Sequence, residues 1–330
     1  EMTKTQKPYL KFEFQNQSGT IQARMWDQDN AVEQTQPLLD TYSIFDIQGT
    51  VDEFRGYKSL VIHRIEPYLG EADPFAFLPA TKQNIEELTV ELFAYLYELQ
   101  APCREIAIAA MDTFWKQFRI RPAAKSHHHD YLGGLLKHTV GLMRLARYIL
   151  KIEENHFQAI IKLIQIVEKA HKRELWNMYM TQDSTLKLVW KDTIDHLYRM
   201  FTDMISYKED IPNYDALMTS ILFHDIGKLL EYDHVGNDRE AFKVLFPTAS
   251  TTSMAQRKQT GITFDELGVM IGHIPYGALL LSKIIEMNQI EISIDDIHLM
   301  THCILCHHGL PEWGSSVRRP QTIEGYLIHL

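Results

Sequence analysis

Cysteine is scarce in this chain: Cys103, Cys303 and Cys306 are the only three in 330 residues. Three thiols cannot build a disulfide framework, so a reducing, cytoplasmic setting is expected. No run approaches the ~18 consecutive apolar residues of a membrane-spanning helix, and no membrane partner is expected. The opening stretch, EMTKTQKPYLKFEF, has no apolar signal-peptide core. Basic residues are also in deficit, 33 against 43 acidic ones, for a net charge of -10. That disfavours broad polyanion binding by side-chain charge alone. It leaves open a site whose positive charge comes from bound cations. Low-complexity tracts and internal repeats are missing, and 45% apolar with 23% charged residues is an ordinary globular mixture. The length suggests about two domains. What is abundant is histidine: there are 16, all but His63 at or after position 127.

The first 70 residues read as β-structure. Leu10, Phe12 and Phe14 alternate with Lys11, Glu13 and Gln15, and Ile21, Ala23 and Met25 alternate with Gln22, Arg24 and Trp26. This is the period-2 pattern of half-buried strands, joined at Gln17-Ser18-Gly19 into a hairpin. Further strands are expected over 44–54 and 58–65, closing a small antiparallel meander that lacks a strand before residue 1. Residues 71–82, with Pro74 and Pro79, read as a linker. From residue 83 the apolar spacing becomes helical, with no comparable β-run, so the fold class is α+β: a small antiparallel β-domain at 1–70, then an all-helical domain at 83–330. Residues 151–212 read as an inserted helical hairpin that either packs on this domain or offers a surface to a protein partner or a second copy.

The chemistry concentrates in Leu222-Phe223-His224-Asp225-Ile226-Gly227-Lys228. An imidazole beside a carboxylate suits Mn²⁺, Fe²⁺, Zn²⁺ or Mg²⁺. Adjacent helical residues diverge by about 100°, so both reach one ion only where the helix ends or loosens, which Gly227 would allow. His138 lies on the polar edge of an apolar helix, His273 follows Gly272, and His307 and His308 close a helix before Gly309. Helices projecting such groups inward are a standard way to build a metal centre.

The order His138, then His224-Asp225, resembles the opening of the His…His-Asp…Asp signature of HD-domain metal phosphohydrolases. Three further stretches match more narrowly: His127-His128-His129-Asp130-Tyr131-Leu132-Gly133-Gly134-Leu135, then Gly272-His273-Ile274, then Cys306-His307-His308-Gly309-Leu310-Pro311-Glu312-Trp313-Gly314-Ser315. With a preceding OB-like barrel, the chain is similar to the YhaM-type 3′→5′ exoribonuclease family. The resemblance implies an OB-like nucleic-acid-binding barrel ahead of an HD domain. It implies a metal-dependent phosphodiesterase that degrades single-stranded RNA or DNA from the 3′ end with metal-activated water. It places His138, His224 and Asp225 on a first cation and His273, His307 and His308 on a second, with Mn²⁺ expected and Fe²⁺, Mg²⁺ or Zn²⁺ as alternatives. The family's closing aspartate follows a segment that matches 323–330, and this chain stops first. The long stretch between His138 and His224 is a second departure.

Lys228 is a candidate contact to a phosphate oxygen or a helix-terminal cation. His128 and His129 are candidates for phosphate contact or proton donation, or a surface run. Trp26 and Tyr57 fall outside the apolar alternation and are candidate base-stacking residues, whereas Phe12 and Phe14 are assigned to the core. The Cys303–Cys306 pair has no second pair to make a zinc ribbon and is read as helix core. Two other functions fit the same residues. One is an HD phosphohydrolase of nucleotides or cyclic dinucleotides. The other is a nucleic-acid-binding adaptor of a mobile-element or defence assembly with a degenerate metal site.

Overall fold

The structure is a computed structural model that describes residues 1–2, 7–71, 73–124, 131–181, 189–255, 261–313 and 318–330. Its packing divides the chain into two units. The first comprises Glu1–Glu86, Phe114–Lys137 and Lys228–Gly272; the second comprises Glu87–Thr113, His138–Gly227 and His273–Leu330.

The sheet of the first unit holds β1 (Tyr9–Asn16), β2 (Gly19–Trp26), β3 (Phe45–Phe54) and β4 (Tyr57–Pro67). The hairpin forms in the expected register, with Phe12 opposite Ala23 and Tyr9 opposite Trp26. Ala23, Met25, Ile62 and Ile65 are buried on one face, with Leu10, Phe12 and Phe14 half-buried beside them. The arrangement is not the expected meander. The strand order is β1-β2-β4-β3, and β2 runs parallel to β4. A parallel pair needs a crossover connection, and helix α1 (Ala31–Thr41) lies within it. Pro37 inside that helix disguises it as a loop in the sequence. Among the described residues β1 and β3 each pair on one side only, so no closed barrel is seen.

The remaining helices are α2 (Pro74–Phe77), α3 (Ile85–Glu98), α4 (Cys103–Phe118), α5 (Gly134–Arg147), α6 (His156–Thr181), α7 (Val189–Met204), α8 (Tyr214–Phe223), α9 (Lys228–Glu231), α10 (Ala241–Leu245), α11 (Thr252–Ala255), α12 (Gly268–Ile271), α13 (His273–Met287), α14 (Ile294–Cys306) and α15 (Ile323–His329). The later part is not wholly helical: Tyr232–Asp233 and Thr263–Phe264 form a two-residue antiparallel ladder in the first unit. Residues this short leave no periodic trace in a sequence. The 71–82 segment carries the α2 turn and a buried Leu78. The 151–212 stretch contains the two helices its pattern predicts, α6 and α7.

In the second unit α8 is buried from Ala216 to Phe223. It packs against α13, α14 and α15. Every turn of α8 is therefore apolar or small, with Thr219 and Ser220 returning their hydroxyls to backbone carbonyls one turn back. Gly277 on α13 lets that helix cross the end of α8: a Cβ there would stand 2.7 Å from the Phe223 carbonyl oxygen.

Candidate metal centre

Helix α8 ends at Phe223, and His224 is its C-cap. The His224 Nδ1 lies 2.7 Å from the Ile221 carbonyl oxygen, three residues back. Helix α14 ends in the same way: His307 is its C-cap, and its Nδ1 lies 2.7 Å from the Ile304 carbonyl. The last carbonyls of a helix have no intrahelical donor. Each here takes an imidazole N–H instead. A carbonyl only accepts, so Nδ1 carries the proton and Nε2 keeps its lone pair. Such carbonyl partners fix the tautomer and aim of metal-binding histidines.

Beyond Phe223 the chain turns through residues 224–227 before α9 begins. This is the loosening that two adjacent ligands require. Gly227 serves it through close approach rather than a left-handed backbone: a Cβ at 227 would lie 1.9 Å from the His273 carbonyl oxygen. Asp225, 3% exposed at its side chain, stands between two pairs of imidazoles. Its Oδ2 is 3.3 Å from His224 Nε2 and 3.5 Å from His138 Nε2. Its Oδ1 is 3.6 Å from His273 Nε2 and 4.0 Å from His307 Nε2. His224 Nε2 and His138 Nε2 are themselves 3.3 Å apart.

Two groups of three could hold a metal ion: His138, His224 and Asp225, and His273, His307 and His308. The donor chemistry fits. Ligand atoms about 2.1 Å from a shared cation stand about 3.0–3.4 Å apart, close to the spacings of the first group. In the second group His307 Nε2 is buried with no hydrogen-bond partner among the described residues. A buried lone pair of this kind is costly unless something binds it. Burial above all, and then the neighbouring His224 imidazole, hold His307 well below the usual histidine value, with Asp225 opposing. Burial thus favours the neutral, ligating form of His307. The His307 and His308 rings meet edge to face at 4.3 Å, and His273 lies 5.4 Å from His308.

The six histidine and aspartate candidates therefore come together in one unit. Lys228 belongs to the first unit, where its ammonium donates to the Ala123 carbonyl. His128 and His129 lie outside the described residues, as do Gly314 and Ser315. Trp26 and Tyr57 are 41% and 83% exposed, with the Trp26 ring 5.2 Å from that of Tyr9. Cys303 and Cys306 are buried in α14, and burial pushes the Cys306 thiol up to about 12, as expected of core residues. Two residues escaped the sequence reading. His329 donates from Nδ1 to the His307 carbonyl at 3.0 Å, and His196 meets His329 at 2.7 Å. No spacing rule links residues 133 positions apart.

The chain is similar over nearly its whole length to curated bacterial proteins named 3'-5' exoribonuclease YhaM. It is 25% identical to that of Listeria welshimeri over 328 residues, covering 98% of this chain and 77% of the relative. It is 23% identical to that of Bacillus licheniformis, covering 98% and 76%, and 23% identical to that of Oceanobacillus iheyensis, covering 99% and 77%. These likenesses bear out the family resemblance drawn from the motifs. No family model matches the chain, and no solved structure matches it. No helix among the described residues is long and apolar enough to cross a membrane.

Proposed function

We propose that this protein is a metal-dependent 3′→5′ exonuclease acting on single-stranded RNA, with two divalent cations held by the six residues His138, His224, Asp225, His273, His307 and His308. The observation that carries the proposal is Asp225, whose two carboxylate oxygens face separate histidine pairs. Were cations bound, Asp225 would offer one oxygen to the side of His138 and His224 and the other to the side of His273 and His307. Mn²⁺ is the ion expected from the family resemblance, and the mixed imidazole and carboxylate set also suits Fe²⁺, Zn²⁺ or Mg²⁺.

Divalent cations, when bound, supply Lewis-acid stabilisation of charge on phosphoryl oxygens and lower the pKa of water. The protein's own part is to hold and orient. The Ile221 and Ile304 carbonyls lock His224 and His307 with Nε2 aimed inward. His138, at the half-exposed side of its group, and the nearly buried His224 leave one side open to substrate. The core around α8 keeps water from competing for the Asp225 carboxylate. No protein nucleophile is needed for phosphodiester cleavage at such a centre. The choice of RNA and the 3′→5′ polarity rest on the names of the similar proteins.

The test is digestion of a 20-nucleotide single strand, labelled at either end, with Mn²⁺ and with chelator. A 3′ label should be released at once as mononucleotide, and a 5′ label should shorten stepwise. Chelator should stop both. Cleavage that persists in chelator, or a 5′ label released first, would overturn the proposal.

A further inference from the structure

Helix α6 presents an exposed face on which cations and aromatic rings follow one another at helical spacing. Lys169, Lys172, Arg173, Trp176, Tyr179 and Met180 are all exposed. At about 100° per residue they fall within roughly 120° of one another around the helix. From Lys169 to Tyr179 the stripe is about 15 Å long. Trp176 is 60% exposed, Tyr179 70% and Met180 62%, far from the burial such side chains usually find. The Trp176 and Tyr179 rings lie 5.3 Å apart and tilted by 37°.

The two carboxylates of this stretch are directed elsewhere. Glu168 accepts from the Tyr198 hydroxyl on α7. Glu174 lies about 100° around the helix from Arg173 and about 140° from Lys169. Lys169, Lys172 and Arg173 have no ion-pair partner among the described residues. In a chain with net charge -10, three adjacent unpaired cations beside two exposed rings stand out. Trp176, Tyr179, Met180 and Arg173 are of types enriched in interfaces between proteins and Lys169 and Lys172 of a type depleted there, so it is the unpaired charge of the three cations that favours a polyanion over a second copy. A strand of phosphates and bases matches both halves of the stripe: charge for charge, and ring on ring.

We propose that this face of α6 is a docking surface for single-stranded nucleic acid, holding the part of a strand that lies away from the scissile end. The proposal rests on the nuclease reading above for the identity of the strand. All the residues involved belong to the long stretch between His138 and His224 that departs from the family pattern. The surface is separate from the metal-ligand set, so binding and cleavage can be read apart.

The experiment measures binding of a fluorescent 20-nucleotide RNA by anisotropy, with the full-length chain in chelator so that cleavage cannot intervene. Dinucleotide cleavage is followed in parallel with Mn²⁺. Trp176→Ala should weaken 20-mer binding about 10-fold, the size of one lost stacked base. The triple variant Lys169→Ala, Lys172→Ala, Arg173→Ala should lower the salt slope of log K by about 2, three phosphate contacts at ~0.7 each. Dinucleotide cleavage should be unchanged in both variants. Wild-type binding and an unchanged salt slope in the triple variant would overturn the proposal. So would a change of sedimentation coefficient in Trp176→Ala with RNA affinity intact, which would make the face an interface between copies. An inactive wild type that still binds the 20-mer through this stripe would overturn the nuclease reading and leave the docking surface standing.

Discussion

His329 donates its Nδ1 proton to the main-chain carbonyl of His307, 3.0 Å away. Since that nitrogen is the donor, its Nε2 is an acceptor, and His196 on α7 meets it at 2.7 Å. The rings cross edge to face, 4.9 Å between centroids. A residue of the inserted hairpin is thus joined, through α15, to the backbone of a candidate metal ligand. Removal of outer partners of metal-binding groups typically costs 10- to 100-fold in metal affinity. His329→Ala should weaken the second Mn²⁺ by about that factor in isothermal titration, and leave the first unchanged. Equal loss at both, or at neither, would show that the link does no positioning.

Asp225→Asn keeps the shape of the side chain and removes its charge. Both candidate cations should lose affinity together, because Oδ1 and Oδ2 face different histidine pairs. Cleavage should fall by several orders of magnitude, while the melting temperature in chelator should not drop, since a buried carboxylate is costly to hold. Loss of only one bound ion per chain, measured by metal analysis, would reduce the centre to two independent sites.

Gly227→Ala should be among the most damaging small substitutions in the chain. The added methyl would overlap the His273 carbonyl at 1.9 Å, so α13 or the 224–227 turn must shift. A cost above ~2 kcal/mol is expected in chemical denaturation, the range of core overpacking. Gly309→Ala should cost at least ~1 kcal/mol, because its φ of 76° disfavours a Cβ. That Cβ would also meet the His329 ring. A variant as stable as the parent would refute either account.

Acid should destabilise the metal-free fold well above the carboxylate range. Burial pushes His234 down to about 4, with the Arg121 guanidinium adding to the effect. Burial also lowers His156 and His302. In the unfolded chain these groups titrate near ~6.5. Below that pH the unfolded state binds protons that the native state refuses, so stability is full above ~6.5 and falls as the pH drops toward 4. Melting temperatures in chelator should decline steadily from pH 7 to pH 5. A flat profile across that interval would contradict the buried, neutral state of these histidines.

Trp26→Ala should weaken binding of a long single strand by ~1–3 kcal/mol, the worth of one stacked base, with dinucleotide cleavage unchanged. The Trp26 ring is 41% exposed but leans on Tyr9. Equal loss with both substrates would make it a packing residue.

The sequence by itself determined the β1–β2 hairpin and the helical character of most of the later chain, and it named the six residues that gather around Asp225. Alternation from Leu10 to Trp26 specifies a hairpin, because a one-residue slip would turn every apolar side chain to water. The capping signals around His224 and His307 specify helix ends, because only there do adjacent residues and free carbonyls share one place. Those are local rules, readable within a few residues. The parallel pairing of β2 with β4 was hidden, because pairing between strands distant in sequence leaves no mark in residue spacing and Pro37 masks the helix between them. Only the tertiary structure decided that the two oxygens of Asp225 face different histidine pairs, since His138, His273 and His307 arrive from three separate helices. The same holds for His196 and His329. Their meeting depends on how α7 packs beside α15, and packing over 133 residues of chain leaves no mark in residue spacing.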